Sequence, residues 1–235
     1  MSIFDLYGIK EVADVVFWDI DSGAPVLYLD TLKVSTIEET ADQTEARGGK
    51  GNPPLIIWDY GKEITITLED ALFSMKSLSV MHNQKPTIDA SVVAIDKAGK
   101  YTTPSVNPST LPSSIPNDAV FYNAEGASVA TANLAANTEY LYKYTQTIQQ
   151  GAAEQITVTS EDFPGTYRIT GDTYARSQKT GKDEFFQFEV AQAKINPEQT
   201  ITMQADGDPS TFSMTVRVLR PDDGKMMKLT KYPKE

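Results

Sequence analysis

KEITITL, residues 62–68, alternates aliphatic and hydroxyl side chains: Ile64, Ile66 and Leu68 fall on one side, Thr65 and Thr67 on the other. Successive side chains of a β-strand point to opposite faces, so this stretch predicts a strand with one buried and one wet face, the mark of an antiparallel sheet. The same period returns in Thr211–Leu219, with Phe212, Met214, Val216 and Val218 inward, and in Phe186, Phe188 and Val190. Working outward, further strands are predicted over 14–20, 25–30, 33–37, 55–58, 87–95, 139–148, 155–159, 166–174 and 226–232.

Turn chemistry separates these runs. Asp21-Ser-Gly23, Asp59-Tyr-Gly61, Thr180-Gly181 and Asp206-Gly207 each read as hairpin punctuation. Pro221-Asp-Asp-Gly224 is the strongest of them: Pro sets φ, Asp tolerates the tight positions and Gly supplies positive φ. One short helix is expected. Thr67-x-x-Asp70 reads as its capping box, with Ala71, Leu72, Met75 and Leu78 on one face. The expected fold is therefore mainly β, an antiparallel sandwich or barrel with one short flanking helix and long inter-strand loops.

Two stretches break the pattern. Thr40–Pro54 (TADQTEARGGKGNPP) is polar and Gly-rich, and reads as a loop longer than a hairpin needs. The segment from Ala98 to Thr138 has only Lys100, Asp118 and Glu125 charged, with prolines at 104, 108, 112 and 116. It reads as a stiff, mostly extended surface insertion. The expected organisation is one discontinuous β-core, 1–97 with 151–235, carrying an insertion over 98–150.

Composition narrows the function classes. The chain has 235 residues, 40% hydrophobic and 23% charged, enough for a sizeable core. No Cys is present, which removes disulfides, thiolate metal sites and cysteine nucleophiles, and a single His removes multi-His metal sites. Lys and Arg number 21 against 32 Asp and Glu, a formal charge of −11 that argues against a grip on nucleic-acid phosphates. No apolar run is long enough to span a membrane, and Met1–Lys10 does not read as a signal peptide.

Chemistry is sparse. His82 has no Gly-x-Ser-x-Gly elbow to serve and reads as a capping or surface residue. Asp19-x-Asp21-x-Gly23 lacks the third ligand and the closing Glu of a calcium loop, so turn formation explains it. Gly48-Gly-Lys-Gly51 is followed by Asn52 and two prolines, where a phosphate loop needs Ser or Thr and a helix. It reads as a contact loop. Glu38 and Glu39 point to opposite faces of a strand and make a poor acid–base pair. Trp18 and Trp58 lie within predicted strands, at core or sheet-face positions. No catalytic residue, metal ligand or cofactor site is assigned, and the chain is not read as an enzyme.

Two segments carry a resemblance. EETADQTEARGGKGNPPLIIWDYGKEITITLEDALFSMKSL, residues 38–78, and DEFFQFEVAQAKINPEQTITMQADGDPSTFSMTVRVLRPDDGKMMKLTKY, residues 183–232, resemble the major tail tube proteins of long-tailed bacteriophages. The shared features are a strand followed by an Arg-Gly-Gly loop, a hairpin and a short helix, then closing strands with Gly-Asp-Pro-Ser-Thr-Phe and Pro-Asp-Asp-Gly. The stretch from about 98 to 150 has no counterpart.

The resemblance implies a virion structural protein. Its copies would form rings, usually of six, that stack into a hollow tube for ejected DNA. Partners would be other copies of the chain and other tail proteins (tape measure, terminator, distal tail protein), with DNA passing unbound and no membrane involved. Assembly would occur in the host cytoplasm. Arg47, Gly48, Gly49, Lys50, Gly51 and Asn52 become the expected inter-ring or inter-subunit contact loop. Competing readings are another ring-forming tail component, including the tube of a contractile tail, and a β-sandwich carbohydrate-binding or adhesion module.

Overall fold

The alternating segments pair into antiparallel ladders throughout a computed structural model that describes residues 5–72, 74–83, 87–88, 93–149, 151–198, 201 and 211–233. The chain divides into two compact units, 1–86 with 156–235, and 87–155. In chain order the first unit begins with β1 (Tyr7–Ile9), β2 (Asp14–Asp19), β3 (Pro25–Leu29), β4 (Leu32–Arg47), β5 (Pro54–Asp70) and helix α1 (Met75–Met81). The second unit holds β6 (Thr87–Ile88), β7 (Val93–Thr102), β8 (Val120–Tyr122), β9 (Ser128–Val129), β10 (Glu139–Ile148) and β11 (Glu154–Gln155). The first unit is completed by β12 (Thr166–Ser177), β13 (Asp183–Ile195), β14 (Phe212–Val218) and β15 (Met227–Pro233).

In the first unit the strands run β3-β2-β12-β13-β14-β5-β4, with β1 beside β12 and β15 beside β13. Strand β13 serves two neighbours along one edge. Its Glu184–Val190 stretch pairs with β15, and its Ala193–Ile195 stretch pairs with β14. A bulge opposite Val190 and Ala193 shifts the register of β12 between Tyr167 and Ile169 at this corner. Bulges bend strand pairs and re-aim them. The sheet thus becomes two parts, β3-β2-β12-β13-β15 and β13-β14-β5-β4. Val15, Phe17, Ile169 and Val190 of the first part share one buried cluster with Ile64, Ile66, Leu68, Met214 and Val216 of the second. The architecture is a sandwich-like arrangement of antiparallel sheet rather than a closed barrel. Burying each such aliphatic or aromatic side chain contributes roughly 1.5–3 kcal/mol.

The helix forms later than its predicted cap. Thr67 and Asp70 remain in β5, paired with Thr215 and Phe212 of β14. The buried Asp70 carboxylate accepts from Thr31 Oγ1 at 2.5 Å and from the Leu72 amide at 3.1 Å, closing the turn that leaves the strand. The capping box is built instead by Ser74, which accepts from the Ser77 amide at 3.0 Å, while Ser77 Oγ accepts from the Ser74 amide at 2.9 Å. Val80 and Met81 enter the core, whereas Leu72 lies outside the helix and is exposed. His82 is the C-cap, its amide donating to the Leu78 carbonyl.

The turns at Asp21–Gly23, Thr180–Gly181 and Pro221–Gly224 form as read, with positive φ at each glycine. Asp19 Oδ1 accepts from the Ser22 amide at 2.8 Å and the Ser22 hydroxyl at 2.6 Å, which is turn chemistry. The hydroxyl bond is the chief reason that the Asp19 carboxyl is held below its usual range. The Asp206-Gly207 turn, and the Gly-Asp-Pro-Ser part of the 207–212 motif, lie outside the described residues.

The second unit is more than an extended surface segment. Strands β7 and β10 pair along ten residues, Val93–Thr102 against Glu139–Ile148, and β8 and β9 extend the sheet. Ile115, Ala119, Phe121, Leu134 and Tyr140 form its own buried cluster. The prolines open turns: Pro112 accepts from the Ile115 amide and Pro116 from the Ala119 amide, both closing i to i+3. Buried Thr103 donates through its hydroxyl to the Ala135 carbonyl at 2.5 Å and accepts from the Thr138 amide at 3.0 Å, tying the turns to the sheet. The predicted strand over 155–159 is confined to Glu154–Gln155, paired with Thr87–Ile88.

Candidate inter-subunit contact arm

Thr40–Pro54 is not one long loop. Strand β4 continues to Arg47 and β5 starts at Pro54, so only Gly48–Pro53 connects them. Asp59-Tyr-Gly61 is likewise no hairpin turn, because β5 runs through it. Gly61 has φ of +63° inside the strand. The ladder passes from Thr40 opposite Glu63 to Asp42 opposite Tyr60, which leaves one extra residue on β5. A bulge with a left-handed glycine uses the same residue chemistry as a hairpin turn, which is why the sequence suggests either.

The bulge divides the hairpin in two. Below it Ile64, Ile66 and Leu68 are buried. Above it Thr40–Arg47 and Pro54–Tyr60 form a two-stranded ribbon with no third strand among the described residues, exposed along nearly its whole length. Leu55 is 65% exposed, Ile56 51%, Ile57 51%, Trp58 50% and Tyr60 55%. Two-stranded ribbons are marginal in water by themselves, and contiguous exposed apolar residues mark interaction surfaces.

The two faces of the ribbon differ. Cross-strand pairs Ala46–Ile56, Thr44–Trp58 and Asp42–Tyr60 place an aliphatic and two rings on one face. The other carries Leu55 and Ile57 among polar groups. There Gln43 Nε2 donates to Asp59 Oδ1 at 2.8 Å and Arg47 Nε donates to Glu45 Oε2 at 2.7 Å. Lys62 and Glu39 pair at 2.5 Å near the base.

At the tip, the Gly48 amide donates to the Pro53 carbonyl and the Asn52 amide to the Gly49 carbonyl, each at 3.2 Å. Gly49, Gly51 and Asn52 have φ of +81°, +85° and +50°. This is left-handed backbone that glycine and asparagine adopt most readily. The structure therefore places Arg47, Gly48, Gly49, Lys50, Gly51 and Asn52 together at one tight turn, with the Lys50 side chain exposed and without an ion pair among the described residues.

Sequence reasoning did not single out Ile56, Trp58 and Tyr60 as one exposed row; of the core and sheet-face positions it left open for Trp58, the structure takes a sheet face. Trp58 is half exposed on the arm, and Trp18 also holds a sheet-face position, its indole donating to Thr170 Oγ1 at 2.8 Å. The usable signal was the apolar run Leu55–Trp58, which as a strand needs a partner of matching length on the other side of the Gly48–Pro53 turn.

Among the described residues no helix is long and apolar enough to cross a membrane. A family model described as YomU/Tube protein family matches residues 7–231. The chain is also similar to a protein named tail tube protein of Bacillus phage SPR, 27% identical over 134 residues, covering 57% of this chain and 49% of that protein. The chain thus spans about half the length of the curated relative it matches. A match from the first strand to the last, joined to the likeness read from the two quoted segments, places the chain among phage tail tube proteins: it belongs to the YomU/Tube protein family.

Proposed function

We propose that this chain is the major subunit of a virion tail tube, that its copies join into rings, six in each by the resemblance to long-tailed phages, and that the rings stack into the hollow conduit through which DNA is ejected. The observation that carries the reading is the exposed arm. A ribbon with Leu55, Ile56, Ile57, Trp58 and Tyr60 in water has a reason to exist if another copy covers it. The tip residues Arg47–Asn52 then meet the neighbouring ring, and Lys50 is a cation free to meet the acid excess of this chain. Only the Gly48–Pro53 turn must settle on contact, because the rest of the arm is already paired; the ordering cost, about 1–2 kcal/mol per residue, falls on a short segment. Strand edges at β3, β4 and β15 that no other strand covers among the described residues are hazards in a monomer, and ring closure would hide them. The unit 87–155 is read as an insertion that decorates the tube, and the tape measure, terminator and distal tail proteins as the other partners.

Negative-stain electron microscopy of the purified chain across a concentration series, with light scattering alongside, tests this. Hollow rings or tubes with a duplex-sized bore support it. Compact monomers at every concentration, even with tail partners added, overturn it in favour of a β-sandwich binding module.

A further inference from the structure

Strand β10 of the second unit carries a row of rings that its own core does not use up. Alternate residues put Tyr140, Tyr142, Tyr144 and Gln146 on one face, opposite Tyr101, Gly99, Lys97 and Ile95 of β7. Tyr140 and Phe121 lie in the buried cluster, with Tyr101 packed against it. Strand β8 pairs with β10 only along Leu141–Lys143. Beyond it, Tyr144 and Gln146 have β7 as their one neighbouring strand among the described residues.

The Tyr142 side chain leans across the ladder. A Cβ on Gly99 would stand 2.7 Å from the Tyr142 hydroxyl and 2.8 Å from its Cζ, so the ring needs the bare backbone that only glycine leaves. The Tyr144 ring follows it, within 14° of parallel at a centre distance of 6.2 Å. Both residues are half-buried. Two rings are thus held in one orientation at the surface, with a spacing comparable to the length of one pyranose.

Charge divides the two faces of this ladder. On the far face Lys143 pairs with Asp96 at 2.7 Å and Lys100 with Glu139 at 3.1 Å. On the ring face Lys97 is the only charged residue of β7 and β10. It is exposed, stands directly across from Tyr144, and has no partner among the described residues.

We infer that Tyr142, Tyr144 and Lys97 bind a saccharide bearing acid groups, a pyranose chain substituted with carboxylate or phosphate. The C–H bonds on one side of a pyranose carry partial positive charge, and an aromatic face carries partial negative charge. A lysine beside the rings supplies the complement to an acid substituent, and Gln146 adds a neutral donor and acceptor. A wholly apolar partner would leave the ammonium and the tyrosine hydroxyls without bonds. The site lies entirely in the second unit and does not depend on the tube reading. On a tube, each copy would repeat it, and weak single sites would add up to firm attachment.

The test uses the unassembled full chain, detected through a terminal tag, on an array of neutral pyranose chains and their uronate-bearing and phosphate-bearing counterparts. Wild type should bind the acid-bearing chains in preference to the neutral ones. Tyr144→Ala should weaken that binding about tenfold. Lys97→Gln should abolish the preference for acid while sparing the rings. Lys97 is exposed, so this variant decides the matter even if melting curves show that Tyr144→Ala is misfolded. Binding to none of the chains, a preference for neutral ones, or a preference for acid that Lys97→Gln leaves unchanged each overturns the inference. Tube formation is read separately by electron microscopy, so a negative array leaves the tube reading intact, and missing tubes leave this site intact.

Discussion

The ring of Phe188 occupies the space where a side chain on its cross-strand partner Gly171 would stand. Both residues are buried, so the pair fills one core site with a single ring. Gly171→Ala therefore overpacks, and we expect a loss of about 1–3 kcal/mol. Phe188→Ala should cost about 3–5 kcal/mol by leaving a cavity. Because the two residues share the space, the double variant should lose less than the sum. Denaturant unfolding of the three variants measures this, and strict additivity would refute the coupling.

The arm separates assembly from folding. Trp58→Ser with Ile56→Ser removes apolar surface that is already in water, so unfolding free energy should stay within about 0.5 kcal/mol of wild type. Tube formation should be lost, since central interface aromatics commonly contribute 2 kcal/mol or more each. Thermal melting and electron microscopy on the same preparations give the two readouts. Tubes that form at the wild-type threshold would remove the arm from the interface.

The Gly61 bulge sets where the arm begins. Gly61→Val puts a β-branched residue at φ of +63°. Left-handed backbone costs a residue with a Cβ about 1–2 kcal/mol, so the ladder between Asp42–Tyr60 and Thr40–Glu63 should loosen. Faster amide exchange confined to the arm, with the strand below it unchanged, is the expected signature.

Acid sensitivity has a named source on the exposed face of β12, β13 and β15. Arg168 Nη2 donates to Glu189 Oε1 at 2.7 Å, and Lys228 lies 3.6 Å from the other oxygen. The arginine hydrogen bond is the main reason that the Glu189 carboxyl is held below the usual carboxylate range, with burial working against it. A depressed carboxyl adds stability that is present above its unfolded value and disappears as pH falls through the folded one. Glu189→Gln should therefore cost about 0.5–1 kcal/mol at neutral pH and nothing once the carboxyl is protonated in both states. Denaturant curves at the two pH values check the sign.

The second unit should be removable as a whole. Thr87 and Gln155 are cross-strand partners, so the chain leaves and returns at adjacent points. Replacing 87–155 with a short Gly-Ser linker is expected to leave the first unit folded and able to assemble. Removing only 100–136 cuts into β7, deletes β8 and Phe121, and should leave an exposed remnant that aggregates. Loss of tubes from the folded deletion would assign the second unit to the assembly contacts.

Much of this was legible in the residue order because burial writes a period into it. Ile64, Ile66 and Leu68, or Phe212, Met214, Val216 and Val218, alternate because one face of each strand meets a core. Turn glycines and the Pro221–Gly224 motif announced themselves through backbone chemistry that is local. The turn that joins β4 to β5 could be picked out as one stretch for the same reason, since glycines and Asn52 gather where the chain must reverse.

What the order of residues left open depends on partners distant in the chain. TADQTEAR shows no alternation because neither face of the arm is buried in the free subunit, so a strand there leaves no period to read. Gly61 is a bulge rather than a turn only because Asp42 and Thr40 stand across from it. Thr67-x-x-Asp70 spells a helix cap that pairing with β14 overrules, and Ser74 caps instead. Short apolar runs and prolines in 98–138 gave no hint of a separate core, since Ile115, Phe121, Leu134 and Tyr140 meet only after the turns close. Local chemistry determined the strands and turns; register between distant strands decided which of them form the arm and which surfaces face one another, because β pairing is set by contacts whose sequence separation carries no local signal.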